Sequence, residues 1–202
     1  PLSRDGKRKM TIVYCDTVNN TNKTRQLLAL ESTLGRPKVE VMAERIRDIN
    51  PDVEVVALNQ YLKDQSIIDL MEQPFDYIVD AIDTLAPKIA LISHCVAAGI
   101  PLVSSMGSGA KYDATKVRVA DLSKSYNCPL AYILRKKLRK VGISKGFKVV
   151  FSEELPDRDA IVAQDPEVER NKKSQVGTIS YLPAVFGCVC AQVALTSLLD
   201  RP

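Results

Sequence analysis

The chain reads as an α/β protein with a Rossmann-like, mostly parallel sheet and helices on both faces, and three observations predict it. Short apolar runs alternate with stretches of helical periodicity from residue 10 to residue 98. The connections between them are brief, as in βαβ units. Runs such as residues 10–15 (MTIVYC) and 75–82 (FDYIVDAI) are too continuously apolar for a sheet with one wet face.

Taken in order, residues 10–15 follow the basic run Lys7-Arg8-Lys9 and form the first strand. Val39, Met42, Ala43, Ile46 and Ile49 then recur at helical spacing, opened by Pro37 and Lys38 and stopped by Asn50-Pro51. Residues 53–58 give a second strand, 66–72 a short helix and 75–82 a third, fully buried strand. A helix over 87–98 closes at Gly99, and a fourth strand over 101–104 runs into Met106-Gly107-Ser108-Gly109. Residues 116–119 and 147–151 read as strands around a helix over 130–141. Residues 155–175 are polar and aperiodic, the pattern of a mobile surface loop, and loops of that length are often functional. Leu182, Val185, Phe186, Val189 and Val193 mark a C-terminal helix with an apolar arc wide enough to predict that it is mostly buried.

With 202 residues, 46% hydrophobic and 26% charged, one domain over 1–202 is expected. A net charge of +4 is compatible with a polyanionic partner. The five cysteines are odd in number and lack the paired spacing of a disulfide framework or zinc ribbon, which points to a reducing cytoplasm. No apolar run reaches the roughly 18 residues of a membrane span, and the first residues are too polar for a signal peptide, so a soluble protein with no membrane partner is expected. Residue 1 is Pro1 rather than a methionine, and the chain is expected to be incomplete at its start.

Two stretches carry candidate chemistry. The first is the polar run Asp16-Thr17-Val18-Asn19-Asn20-Thr21-Asn22-Lys23-Thr24-Arg25-Gln26 after the first strand, with Lys38 following in Gly35-Arg36-Pro37-Lys38. An arginine and a lysine at a helix start hold phosphates by charge-assisted hydrogen bonds, with the helix dipole in support. The same composition suits an asparagine-rich turn, and spacing alone leaves both readings open. The second stretch is Asp80 and Asp83, at the carboxyl end of the third strand, where ligands of open α/β sheets bind. Asp83 is the candidate Mg²⁺ ligand, since that ion takes one or two carboxylates beside phosphates. Asp80 reads better as a cap of the following helix.

In order and spacing, the runs DTVNNTNKTRQ, GRPKVEVMAERIRDINP, VDAIDT, PLVSSMGSGAKYD and VGTISYLPAVFG resemble the ThiF/MoeB/HesA family of adenylate-forming enzymes, most of all its tRNA threonylcarbamoyladenosine dehydratase branch. The resemblance covers almost the whole chain, with Leu2, Arg4 and Gly6 as the tail of the family's first helix. It implies a ThiF-type adenylation domain that binds ATP with Mg²⁺, transfers AMP to a carboxylate and releases pyrophosphate. In the dehydratase branch the carboxylate is that of threonylcarbamoyladenosine in tRNA, and ring closure expels AMP. By matching positions, Asp16 belongs to the ATP site, Asn22, Arg25 and Lys38 hold the triphosphate, Gln26 supports the loop and Asp83 holds Mg²⁺, while Arg25, Lys38 and Asp83 carry the catalysis. A homodimer and a sulfur-relay partner are implied as well.

The sequence departs from the family at three points. The family's first strand and GxGxxG loop have no counterpart in it, Tyr14 stands where a ribose-binding aspartate is expected, and Thr24 stands for an asparagine. One alternative is therefore a non-catalytic scaffold or RNA-binding remnant. Another is an adenylyltransferase for a ubiquitin-like sulfur carrier protein, whose branch commonly shows paired CxxC zinc motifs that this sequence lacks.

Arg135, Lys136, Lys137, Arg139 and Lys140, with Lys145 and Lys148 nearby, are candidate contacts to the tRNA backbone or simply a solvated helix face. Tyr126 and Tyr132 beside them read as core residues in preference to base-stacking platforms. His94 reads as a packed helix residue without a catalytic role. Cys188 and Cys190 fall on different helix faces and make a poor metal or disulfide pair. Lys172 and Lys173 stand where some relatives place a reactive cysteine.

Overall fold

In the computed structural model, residues 2–4, 9–163 and 174–199 are described. Eight strands and five α-helices follow one another there as β1 (Lys9–Val13), α1 (Lys38–Ile49), β2 (Glu54–Leu58), α2 (Asp64–Met71), β3 (Ile78–Asp80), α3 (Leu85–Ala98), β4 (Leu102–Ser105), β5 (Val117–Asp121), α4 (Pro129–Arg139), β6 (Lys148–Ser152), β7 (Ile161–Ala163), β8 (Ser174–Val176) and α5 (Tyr181–Leu199). Every helix and strand expected from periodicity is present, within a few residues of its expected bounds. The stops follow local chemistry. Asn50 ends α1 by donating to Ile46 O ahead of Pro51. Gly99 closes α3 at φ 67°, a left-handed cap that suits glycine. Pro129 opens α4 at its first position, where a missing N–H costs nothing.

The strands form β1–β2, parallel; β3–β4–β6–β5, parallel except for β5; and the antiparallel hairpin β7–β8. The four-stranded sheet is covered on both faces. Leu102, Val149 and Phe151 face α3 and α4 through Leu91, Ile92, Cys95, Leu134 and Leu138. Val103 and Val150, one residue out of phase, face α5 through Leu182, Phe186, Cys190 and Val193. This is the doubly covered, parallel-dominated α/β fold that the sequence predicts.

Four expectations are corrected. The third strand is three residues long and not fully buried: Val79 is 39% exposed, because among the described residues β3 pairs with β4 alone. Residues 155–175 are not a plain loop, since β7 and β8 pair within and beside that stretch, Ile161 opposite Val176; residues 164–173, including Lys172 and Lys173, lie outside the described residues. The C-terminal helix is only partly buried, with Gly187, Cys188, Gln192 and Thr196 exposed on its outer face. At 19 residues α5 is also long and apolar enough to cross a membrane, contrary to the reading that no run is; here its inner face packs on the sheet.

Candidate functional site

A cleft of about 1450 Å³ opens where β1 and β3 end, and segments far apart in sequence line it, among them the β1 loop, the start of α1, the loop after β3, the turn after β4 and the start of α4. Asp16, Asn22, Arg25, Gln26, Lys38 and Asp83 all line it, although residues 16 and 83 are far apart in sequence. The loop after β1 is shaped by its own backbone: Val18 N donates to Arg36 O at 2.9 Å, Gly35 N to Val18 O at 2.8 Å and Lys38 N to Asp16 O at 2.9 Å. These bonds hold the polar run against the N-terminus of α1, where the helix dipole favours an anion.

Asn22 is buried, and its Oδ1 accepts from Asn19 N at 3.1 Å, so it shapes the loop from inside. Arg25 gives one donor to Thr21 O at 2.8 Å, which leaves most of its fork for other acceptors. Lys38 is buried, ion-paired to Asp16 Oδ2 and seated over the Tyr14 ring, 5.2 Å from its centroid. Gln26 Oε1 is buried without a donor, a polar atom that calls for a ligand or a backbone N–H. Asp83 is exposed at the cleft. Burial, and after it the Asp83 and Asp16 carboxylates, push the Tyr14 phenol up to about 12, with Arg25 acting the other way.

Asp80 does not cap α3; Thr84 occupies that position. Asp80 is instead buried in an ion pair with Lys88, Oδ2 to Nζ 2.8 Å. Lys88 spends its other two donors on Ile82 O at 3.0 Å and Ser105 O at 2.9 Å. Asp80 Oδ2 also accepts from Ser104 Oγ at 2.6 Å, and Oδ1 from Ile82 N at 3.0 Å. The network ties the carboxyl ends of β3 and β4 to α3 and fixes the loop that carries Asp83. Sequence reasoning missed Lys88; a lysine inside an otherwise apolar helix was the available signal.

Lys111, also missed, is buried at the cleft with Nζ donating to Ser152 O at 2.8 Å and Asn127 O at 3.1 Å. Burial pulls its ammonium below the usual lysine range, while Cys128 and Glu154 work in the opposite direction. Burial likewise pushes the thiols of Cys95 and Cys190 up, to about 12 and about 11, so neither supplies a thiolate.

Lys136, Lys137, Arg139 and Lys140 are exposed on α4, whereas Arg135 is committed to Ser125, with Nη1 donating to Ser125 O at 2.6 Å. The tyrosines are not core residues: Tyr132 is 62% exposed, and the 48% exposed Tyr126 sets its ring edge-on to Phe151 and donates to Glu153. His94 is half-buried within α3, as expected. Cys188 is exposed and Cys190 buried, on different faces of α5.

Among the described residues no group of three or more His, Cys, Asp or Glu gathers as a metal cage. The carboxylates of Asp83 and Asp16 facing one cleft match the donor set of Mg²⁺ carried in with phosphates.

Known proteins resemble this chain in sequence and fold. The chain is 39% identical to the tRNA threonylcarbamoyladenosine dehydratase of Bacillus subtilis, over 98% of this chain and 80% of that protein. It is 36% identical to the Escherichia coli enzyme of the same name, over 99% of this chain and 80% of that protein. The crystal structure of the E. coli dehydratase TcdA in complex with ATP superposes with a TM-score of 0.86 at 34% identity, covering 98% of this chain and 78% of that one. The ThiF family matches residues 2–202. With the match running through every segment that lines the cleft, the chain belongs to the ThiF family.

Proposed function

We propose that the chain is an ATP-dependent dehydratase domain that adenylates the carboxylate of threonylcarbamoyladenosine in tRNA and closes it to the cyclic derivative. One observation carries the reading: Arg25, Lys38 and Asp83, scattered in sequence, line one cleft at the positive end of α1 and the carboxyl ends of β1 and β3. Attack of the carboxylate on the α-phosphorus expels pyrophosphate, and attack of the neighbouring group on the acyl carbon then expels AMP. Both steps build charge on phosphoryl oxygens, which fixed cations stabilise.

Lys38 and Arg25 supply those cations, the first released from Asp16 as phosphates take its place. Gln26 Oε1 gains a donor from the nucleotide or the backbone that accompanies it. Asp83, backed by the Asp80–Lys88 network, would hold Mg²⁺, which would supply positive charge to offset the negative charge of the phosphates. Tyr14 offers the ribose one hydroxyl and keeps its proton at neutral pH. The basic residues on the outer face of α4 grip the tRNA backbone. A homodimer is the assembly that the family likeness implies, and the cytoplasm is the compartment that fits a tRNA substrate.

The test is incubation of the chain with Mg-ATP and tRNA bearing threonylcarbamoyladenosine, read by mass spectrometry of the nucleoside. Loss of one water, abolished in Lys38→Ala and Asp83→Ala, is expected; an unchanged nucleoside with wild-type chain overturns the reading.

A further inference from the structure

Residues 122–152 hold eight Lys or Arg and no Asp or Glu, in a chain whose net charge is only +4. Such a run attracts a polyanion. On α4 the charges lead outward from the cleft along one face. Pro129 lines the cleft, and Tyr132, three residues on, shares its face; Lys136 follows four residues later, then Arg139 and Lys140. Tyr132 is 62% exposed and is the first side chain on that path beyond the cleft lining.

A second exposed ring stands beside the same cleft. Tyr112 directly follows Lys111, which lines the cleft and ties this segment to the start of α4 by donating to Asn127 O at 3.1 Å. Tyr112 is 64% exposed, yet its backbone is clamped: its N–H donates to Glu154 Oε1 at 3.2 Å, and its carbonyl accepts from Tyr181 Oη at 2.6 Å. Glu154 is itself buried, with Oε2 accepting from Asp113 N at 3.0 Å and from Ser152 Oγ at 3.1 Å. A lone exposed tyrosine is ordinary. One mounted on a backbone fixed from two distant segments is ordered before anything binds, so a ligand meeting it loses less freedom. Tyr126 gives the contrast, since its ring stands edge-on to Phe151 and its hydroxyl donates to Glu153 Oε2 at 3.0 Å. The side chains of Tyr112 and Tyr132 have neither kind of contact among the described residues.

Exposed flat rings beside a run of cations match an unpaired nucleic-acid strand, whose bases stack on aromatic faces while its phosphates take the charges. A duplex hides its base faces, and an acidic peptide satisfies the charge but leaves both rings in water. We propose that Tyr112 and Tyr132 are base-stacking platforms at the rim of the cleft, which take the unpaired tRNA bases flanking the reacting adenosine while the basic face of α4 holds the phosphates. The two rings thus position the substrate and select a looped strand over a paired one. This rests on the dehydratase reading for tRNA as the source of the strand.

The test titrates the full chain with an unmodified RNA stem-loop carrying 2-aminopurine in its loop, and with a fully paired RNA of the same length. Tyr112→Ala and Tyr132→Ala are each expected to weaken stem-loop binding by about five- to a hundredfold, the worth of one stacked base. Each is also expected to relieve part of the 2-aminopurine quenching and to leave the salt slope unchanged, because no phosphate contact is lost. Tyr112→Phe and Tyr132→Phe are expected to bind as the wild-type chain does, as is Tyr61→Ala, which removes an exposed ring from the loop after β2. Wild-type affinity in both alanine variants, equal losses with the paired RNA, or phenylalanine variants as weak as the alanine ones overturns the proposal. So does a poly-glutamate peptide that binds with the same dependence on both rings, the mark of a surface for an acidic protein. Dehydration of modified tRNA separates the two readings. Wild-type turnover and affinity in both alanine variants leaves the dehydratase reading standing and sinks this one, whereas ring-dependent RNA binding by a chain that dehydrates nothing does the reverse.

Discussion

Asp80 and Lys88 form an ion pair of 2.8 Å with both side chains fully buried, and every donor of the ammonium is engaged. Such a pair is costly to break because the survivor is left charged and dry. Lys88→Met is expected to lose about 3–5 kcal/mol in chemical denaturation. Adding Asp80→Leu is expected to recover much of that loss, and a double variant no more stable than the single one would contradict the pairing.

Lys38→Ala and Arg25→Ala are each expected to weaken Mg-ATP binding by about ten- to a hundredfold, the worth of one charge-assisted hydrogen bond. Calorimetry reads the loss. Lys38→Arg is expected not to restore affinity, because the point charge sits in a buried seat between Asp16 and the Tyr14 ring that a planar fork does not fit.

The Tyr14 phenol, pushed up to about 12, is expected to ionise last among ordinary tyrosines in a phenolate absorbance titration, and Tyr14→Phe to remove that final step. A phenol held protonated longer in the fold binds more protons than its unfolded counterpart above about pH 10. Its contribution to stability is therefore present below that pH and lost as pH rises toward 12. Asp83→Asn is expected to move the step downward.

A Cβ at Gly109 would stand 2.6 Å from Val176 Cγ1, so the turn after β4 and the β7–β8 hairpin approach as only glycine permits. Gly109→Ala is expected to cost about 1–3 kcal/mol by overpacking. Combining it with Val176→Ala is expected to return most of the loss in a thermal melt.

Lys137→Glu with Lys140→Glu is expected to weaken tRNA binding evenly across sequences and to flatten its salt dependence, as the loss of phosphate contacts does. Arg135→Ala is expected to lower stability instead, since its guanidinium holds Ser125. Filter binding at several salt concentrations and denaturation curves separate the two.

The helical stripe Val39, Ala43, Ile46 and the stops at Asn50 and Gly99 were legible because they are local physics: period, cap and turn. The pattern of residues 16–26 pointed to a phosphate loop over a plain turn only through family likeness, since polar turns look alike. The burial of Lys88 and Lys111 was not legible, because both depend on carbonyls brought from segments distant in sequence. The exposure of Val79 was hidden for a different reason: a strand's sequence does not say how many neighbours it has. Nor did the polar residues near 174–176 announce a hairpin, which pairing rather than hydrophobicity defines.

In the central ladder Leu102 and Val103 look to opposite layers, as do Val149 and Val150. A slip of β6 by one residue would send Phe151 into the space shaped for Val150 and hand both layers the wrong side chains at once. The four-stranded sheet thus proofreads its own alignment from two directions as it assembles. β1 and β2, partly buried along most of their length, have no such double check. Errors of registration during folding should accordingly gather in that pair, the half of the molecule that carries the polar loop after β1.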